Sequence, residues 1–527
     1  MTALYARRLD RIAALDGGAC LRGGAIGIER EALRASPDGA IAQTPHPPAL
    51  GAALTHPWIT TDYSEAMVEL ITPPCATGME ALTFLDDLHR YVYLHLGEET
   101  LWNASMPCVL GGASSIPIAR YGSSNPGRMR HVYRRGLDYR YGRMMQVIAG
   151  VHFNYSLPEA FWPIYRDLEG EGGDLRGFRD RHYMGLIRNL QRLGWLVPYL
   201  FGASPAVCRT FLAGIPHPLE PFDGDTFYQP GATSLRMGDI GYQNHMEAGH
   251  GFRANYDSLD SYVRSLTWAI TTPCPRYEEV GVRVNGEWRQ LNANVLQIEN
   301  EHYSSVRPKQ APRWLEKPVH ALRERGIGYV ELRSLDVNPF EPLGVGGEQV
   351  RFLEGLLLFC LLRPSPPIPP REAQAIDRNL SLTAHRGREP GLLLRRGDEA
   401  VGLRQWGLEI LAAMKPLMAM LDGDDPERPY SRVLGTLRGR LRDPEATPSE
   451  RLLRHLRETG LSFVEAALEL ARADAAAFRS RPPGAAMRQR LDRLAEESRR
   501  RQAEMEAADD RPFERFLAAY FAGSVLR

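Results

Sequence analysis

Short strands separated by helices, without the regular strand–helix–strand alternation of a parallel sheet, predict an α+β fold on a mixed or antiparallel sheet. Two further observations support it. Asn285-Gly286 sits between Val282 and Gln290 as the turn of an antiparallel hairpin would. A proline-rich break, Pro364 to Pro370, separates a strand-bearing region, residues 1–363, from a mainly helical one, residues 371–527. The second region either packs on the first or merges with it into one integrated domain.

Taken in order, residues 3–16 predict a short amphipathic helix. Residues 24–31 predict a strand opened by glycines, and a Pro/Gly-rich loop follows at 37–57. Ile59 to Asp62 leads into a second strand, Met67 to Ile71, closed by Pro73-Pro74. Leu82, Leu85, Leu88, Val92 and Leu96 share one helical face, so 79–97 predicts a helix. Residues 121–148 are Arg-rich and predict a helix in their second half. Gly150 to Leu157 predicts a third strand, residues 167–177 a surface loop, and 182–196 and 258–271 helices. Residues 227–243 match no regular element. Leu291 to Glu299 and Gly328 to Asp336 predict further strands. There are no internal repeats, and the charges of 484–527 read as a solvated helical face.

The 527 residues exceed one ordinary core. Lys+Arg and Asp+Glu both number 64, so charge gives no case for a nucleic-acid or membrane-surface partner. Lysine occurs at 309, 317 and 415 alone; nearly all positive charge is Arg, and an Arg is no sign of function merely for being Arg. No phosphate-binding GxxxxGK[ST] loop is present. Six dispersed cysteines without metal-ligand spacing fit free thiols in a reducing cytoplasm. The apolar run at 355–362 is too short to span a bilayer, and residues 1–18 lack the apolar core of a signal peptide.

The chemistry concentrates on acidic and imidazole groups in or beside apolar strands. Glu29 and Glu31 are two apart and share one strand face. Asp62 precedes the second strand and Glu69 lies within it. His152 stands between Val151 and Phe153, and Glu331 between Val330 and Leu332. Each alone reads equally well as a group on a half-exposed sheet face. Together they suggest one polar face with hard oxygen ligands and a single nitrogen, which suits Mg²⁺ or Mn²⁺ better than zinc. Divalent ions facing a groove are what phosphoryl transfer from ATP requires. Arg333, two residues from Glu331, and Arg236, in the 231–236 turn, supply bidentate forks for phosphate or carboxylate. Tyr63, Tyr133, Tyr242 and Tyr303 read either as walls of a small-molecule pocket or as ordinary core and surface tyrosines.

Several stretches resemble the bacterial, proteobacterial-type glutamate–cysteine ligases (γ-glutamylcysteine synthetases). They are Gly27-Ile28-Glu29-Arg30-Glu31, Thr55 to Pro73, Gly150 to Ser156, Tyr199 to Pro205, Asn294 to Glu301, Glu331 to Asp336 and Arg501 to Asp509. The resemblance covers about residues 20–160 and 183–341 and resumes near the C-terminus.

It implies a glutamine-synthetase-like fold, a curved, mainly antiparallel sheet forming a funnel with surrounding helices and a helical C-terminal region. It implies that ATP phosphorylates the γ-carboxylate of L-glutamate and that the amine of L-cysteine then attacks. The products are γ-glutamylcysteine, ADP and phosphate, in the first step of glutathione biosynthesis. Mg²⁺, with Mn²⁺ as an alternative, is the implied cofactor, and glutathione the implied feedback inhibitor. A cytoplasmic monomer is expected.

By motif, Glu29, Glu31, Asp62, Glu69, His152 and Glu331 resemble the metal ligands. Arg236, Arg333 and, less closely, Arg134 resemble the arginines on the transferring phosphate or substrate carboxylate. Tyr63, Tyr133, Leu137, Gln146, Tyr242 and Tyr303 resemble the cysteine pocket; position 63 is commonly Phe in the family. Two other readings share these motifs: a carboxylate–amine ligase using a different amine, and a metal- and nucleotide-binding regulatory protein without catalysis.

Overall fold

The structure is a computed structural model, and it describes residues 3–240 and 252–523. Tyr242 lies outside the described residues. The framework is a seven-stranded open sheet in which every pairing is antiparallel, in the order β11-β12-β5-β1-β3-β2, with β4 pairing the far end of β1. Its strands are β1 (Ala25–Ala35), β2 (Ile59–Thr61), β3 (Met67–Ile71), β4 (Thr100–Leu101), β5 (Gly150–Ser156), β11 (Val306–Lys309) and β12 (Tyr329–Asp336). No connection in this sheet is a parallel βαβ crossover: β2 returns directly into β3 through residues 62–66, and the segment between β11 and β12 brings the chain back antiparallel.

Helix α1 (Ala3–Asp16) precedes the sheet. Helix α2 (Gly78–Tyr93) starts where Thr77 accepts a hydrogen bond from the Glu80 amide, and it packs on β1 and β3. Helix α3 (Asn125–Tyr141) begins earlier than the Arg-rich composition suggested. Ser124 caps it, Pro126 suits its first turn, and Gly142 at φ +80° ends it, so the helix spans the middle of 121–148 and reaches into the half expected to be helical. The expected surface loop at 167–177 is shorter too. Helix α4 (Phe161–Glu169) stops on Gly170 at φ +69°, and Asp174 caps α5 (Leu175–Leu193) by accepting from the Arg176 and Gly177 amides. Helix α6 (Leu196–Phe201) leads into a small sheet, β6 (Ala206–Cys208), β7 (Glu220–Pro221) and β8 (Thr226–Tyr228).

After α7 (Leu259–Thr271) and α8 (Pro275–Val280), the predicted hairpin is present as β9 (Arg283–Val284) and β10 (Glu287–Trp288), with Asn285 and Gly286 both at positive φ. The strand expected at Leu291–Glu299 is not formed. There Asn294 donates its amide to the Asn292 side chain and Leu291 its amide to Gln297 Oε1. The Gln297 amide in turn goes to Glu301. Side-chain amides and a carboxylate take the backbone bonds a ladder would need.

Helix α9 (Pro318–Arg325) precedes β12, and the apolar α10 (Gly347–Leu362) lies behind the sheet against α2 and α5. Beyond the proline-rich break come α11 (Pro370–Arg386), the hairpin β13 (Leu393–Arg396) and β14 (Glu399–Gly402), and α12 (Leu403–Asp422). Five more helices follow: α13 (Pro429–Arg442), α14 (Pro448–Thr459), α15 (Phe463–Ser480), α16 (Ala485–Ala508) and α17 (Phe513–Phe521). One hydrophobic cluster takes residues from Tyr5 through Leu491, and a smaller one joins α3 to α17. Helix α16 braces the loop before β2: the Ala52 amide donates to Ser498 Oγ and Thr55 donates to the Ser498 carbonyl. No helix among the described residues is long and apolar enough to cross a membrane.

Candidate active site

Antiparallel register collects residues that are far apart in sequence. Glu31 stands opposite Glu69, Glu29 opposite His152, and Glu331 opposite Asn154. Alternation sends Glu29 and Glu31 to one face and Arg30 and Arg34 to the other, where both arginines are almost fully buried. The carboxylate face forms the floor of a cleft of about 490 Å³. Every residue expected at the site that lies among the described residues lines this cleft. These are Glu29, Glu31, Asp62, Tyr63, Glu69, Tyr133, Arg134, Leu137, Gln146, His152, Arg236, Tyr303, Glu331 and Arg333.

His152 is the hub. Its Nδ1 is 2.9 Å from Glu29 Oε2, and its Nε2 is 3.4 Å from Glu31 Oε1. Ligand atoms of Glu29, His152 and Glu331 lie within 4.8 Å of one another, and so do those of Glu31, Glu69 and His152. The charges are unevenly balanced. Burial raises Glu69 well above the ordinary carboxylate range, and the negative charges of Asp62, Glu29 and Glu31 push it the same way. Burial also raises Glu31, against the pull of His152. For Glu29 burial is outweighed by the His152 hydrogen bond and charge, so it is lowered. For Glu331 burial is outweighed by Lys309, Arg333 and Arg307, and it is held well below the usual range. Glu331 Oε2 is buried and accepts no hydrogen bond among the described residues, although Arg333 Nη1 stands 3.4 Å away. A buried oxygen without a donor, among carboxylates that raise one another, suits a divalent cation with oxygen ligands and one imidazole.

The arginines are held by backbone. Arg236 Nη2 donates to the Arg333 carbonyl at 2.8 Å. Its turn is fixed by Asp336, which accepts from the Ala203 amide and from the Ser204 and Ser234 hydroxyls at 2.7–2.9 Å. Ser234 in turn caps the Leu235–Met237 turn. Gly150 leaves room for the fork: a Cβ there would lie 2.1 Å from Arg236 Nη2. Arg134 donates to the Asp62 carbonyl at 2.5 Å, with its guanidinium 4.7 Å from the Tyr121 ring centroid. Next to Asp62, Tyr63 is 1% exposed, and its hydroxyl is buried with no hydrogen-bond partner among the described residues.

The sequence profile of the glutamate–cysteine ligase family matches residues 9–383. The chain belongs to the glutamate–cysteine ligase family. It is 47% identical to glutamate–cysteine ligase of Alcanivorax borkumensis over 521 residues, covering 98% of this chain and 99% of that one. It is 46% identical to that of Azotobacter vinelandii, covering 99% of both. A solved structure of glutamate–cysteine ligase from Francisella tularensis in complex with AMP superposes with a TM-score of 0.88 at 32% identity, covering 95% of this chain and 98% of that one. A bifunctional glutathione synthetase from Pasteurella multocida shares the fold, with a TM-score of 0.69 at 23% identity; it covers 93% of this chain and 57% of its own.

This family member also brings residues to the cleft that sequence reading did not single out. Lys309 Nζ donates to Glu331 Oε1 at 3.1 Å, and Arg307 stands opposite Glu331 in the register. Asn154 Nδ2 donates to Glu29 Oε1 at 2.9 Å, and the Gly150 amide donates to Glu31 Oε2 at 2.7 Å. Asn154 was within reach of the period-two argument, being two residues from His152. Lys309 and Arg307 were not, because their strand shows no apolar alternation and its pairing with β12 is a long-range fact.

Proposed function

We propose that this chain joins the γ-carboxylate of L-glutamate to the amine of L-cysteine at the expense of ATP, as the first step of glutathione biosynthesis. A γ-carboxylate oxygen takes the terminal phosphoryl group of ATP and releases ADP. The cysteine amine then attacks the acyl carbon and expels phosphate, leaving γ-glutamylcysteine. A carboxylate is a poor acyl donor because oxide is its leaving group; phosphorylation supplies a better one. The observation that carries the reading is the ring of carboxylates around His152, with Arg236 and Arg333 at its edge, in one cleft.

Glu29, Glu31, Asp62, Glu69, His152 and Glu331 are the residues that would hold divalent metal. Their oxygen-rich set favours Mg²⁺, with Mn²⁺ as the alternative. The bound metal would offset charge on the transferring phosphoryl group. The chain's own contribution is positioning. Arg236, tethered to the Arg333 carbonyl, and Arg333, beside Glu331 and His152, present forks to phosphate or carboxylate oxygens. Arg134, bonded to the Asp62 carbonyl, supports the same wall. Tyr63, Tyr133, Leu137, Gln146, Tyr303 and Tyr242 would receive cysteine. A walled cleft limits hydrolysis of the acyl phosphate.

The test is purified protein with L-glutamate, L-cysteine, ATP and Mg²⁺, read by mass spectrometry for γ-glutamylcysteine and repeated with Mn²⁺ and with added glutathione. Product that requires all four reactants is expected, with less of it when glutathione is present. Phosphate release with another amine but not cysteine would change the acceptor. Absence of ATP turnover with any amine would leave a binding protein.

A further inference from the structure

We propose that the space between α1, α5, α10, α11, α12 and β13 is a second binding site, for a small oxyanion carried on an apolar body and held by Arg363 beside Trp406. Two adjoining cavities, of about 230 and 120 Å³, share Arg363, Arg396 and Trp406 as walls. Neither shares a residue with the catalytic cleft.

The arginines around them differ in one respect. Arg192 is gripped by Glu372 at 2.6 and 2.9 Å, and Arg396 by Glu409 at 2.7 Å. Arg395 donates to the Asp398 carbonyl at 3.2 Å. Arg363 has no carboxylate within 4.0 Å and donates no hydrogen bond among the described residues; its contact is the face of Phe359, 5.0 Å from the ring centroid. It is half-buried, and Arg192 is a like charge in its surroundings. A partly desolvated guanidinium beside another cation lacks the counter-charge that such groups ordinarily find.

The larger cavity supplies the rest of the recognition. Phe359, Trp406, Ile410 and Ala413 line it with apolar surface, and the Glu409 carboxylate in the same wall is neutralised by Arg396 at 2.7 Å. Its size suits a single ring or short chain bearing one charged head. A guanidinium fork binds carboxylate and phosphate alike, so the headgroup is what the experiment must resolve.

The probes are benzoate and phenyl phosphate, titrated calorimetrically into the full chain at fixed ionic strength. Both can also enter the catalytic cleft through its arginines, so Arg333→Met is titrated alongside. Two binding events are expected in the wild type. Arg333→Met should lose one and Arg363→Met the other, the latter weakened at least tenfold with ligation unchanged when no probe is present. The tighter probe identifies the headgroup. If Arg363→Met binds both probes as the wild type does, the proposal fails. Should that variant not fold, phenylglyoxal modification of wild-type Arg363, followed by peptide mass spectrometry, decides instead. Protection of fivefold or more by the tighter probe is expected, and no protection would overturn the site.

Discussion

Glu69 shows how much one side chain can reveal about a site. Its carboxyl is half-buried opposite Glu31 and pushed upward by desolvation and by three neighbouring acids. Such a position is tolerable when a cation joins the group, and costly otherwise. Glu69→Gln keeps the shape and removes the charge. It should lower kcat by at least ~10²-fold and weaken divalent-metal binding, with an unchanged circular dichroism spectrum; near-normal turnover would remove Glu69 from the metal set. Arg333→Lys should lose activity on a similar scale, because a point charge cannot replace a fork beside both Glu331 and His152. Tyr63→Phe acts in the other direction. Deleting a buried hydroxyl that lacks a partner should raise stability by about 1 kcal/mol in a denaturant titration. An unchanged midpoint would mean that solvent already satisfies the hydroxyl. At this scale the sequence is informative only through the set: one charge inside an apolar strand is ordinary, but Glu29, Glu31, Glu69, His152 and Glu331 together mark a shared polar face. Lys309 could not, since nothing near it in sequence marks it as a neighbour of Glu331.

Strand β5 shows what an element adds. It carries His152 and Asn154 to Glu29, and its first residue, Gly150, donates its amide to Glu31 while yielding space to Arg236. Gly150→Ala places a methyl group against the guanidinium. It should displace Arg236 and reduce kcat by ~10–10²-fold while divalent-metal affinity is largely kept; equal losses in both would point to collapse of the strand instead. The strands that end in prolines or carry apolar alternation were readable from sequence. Leu291–Glu299 was not, because alternating Asn and apolar residues mimic a strand while the side-chain amides tie the backbone into turns. The ends of helix α3 differ from expectation for a related reason: its charged composition hides the Ser124 cap and the Gly142 stop that set them.

Over the whole molecule, burial of imidazoles sets an acid limit. Burial, the largest cause in each case, lowers His46, His56 and His182 to about 4 and His89 and His302 to about 3. The folded state therefore binds fewer protons than the unfolded chain, whose histidines titrate near 6.5. The stability tied to these groups is complete above pH ~6.5 and is lost as the pH falls toward their folded values, by up to ~1.4 kcal/mol per unit for each. Glu31 and Glu69, raised on folding, work in the opposite sense. Denaturant unfolding between pH 7 and 5 should show a loss of several kcal/mol with net proton uptake. A flat profile would mean that solvent reaches the imidazoles. The α+β class was legible from the absence of βαβ alternation, but the strand order was not: β5 lies between β1 and β12, residues more than 100 positions away on either side, and no local pattern encodes such pairing.

The alternation of β1 has one more consequence. Glu29 and Glu31 face the cleft, while Ile28, Arg30 and Arg34 are sealed on the far side. Dropping one codon between positions 25 and 28 would shift the strand by one residue and exchange the two faces. Acids would enter the hydrophobic layer, and an arginine would stand on the face proposed to hold metal. Length in this segment is therefore as tightly constrained as residue identity, and a reading-frame-preserving deletion here should be no milder than loss of an acid itself.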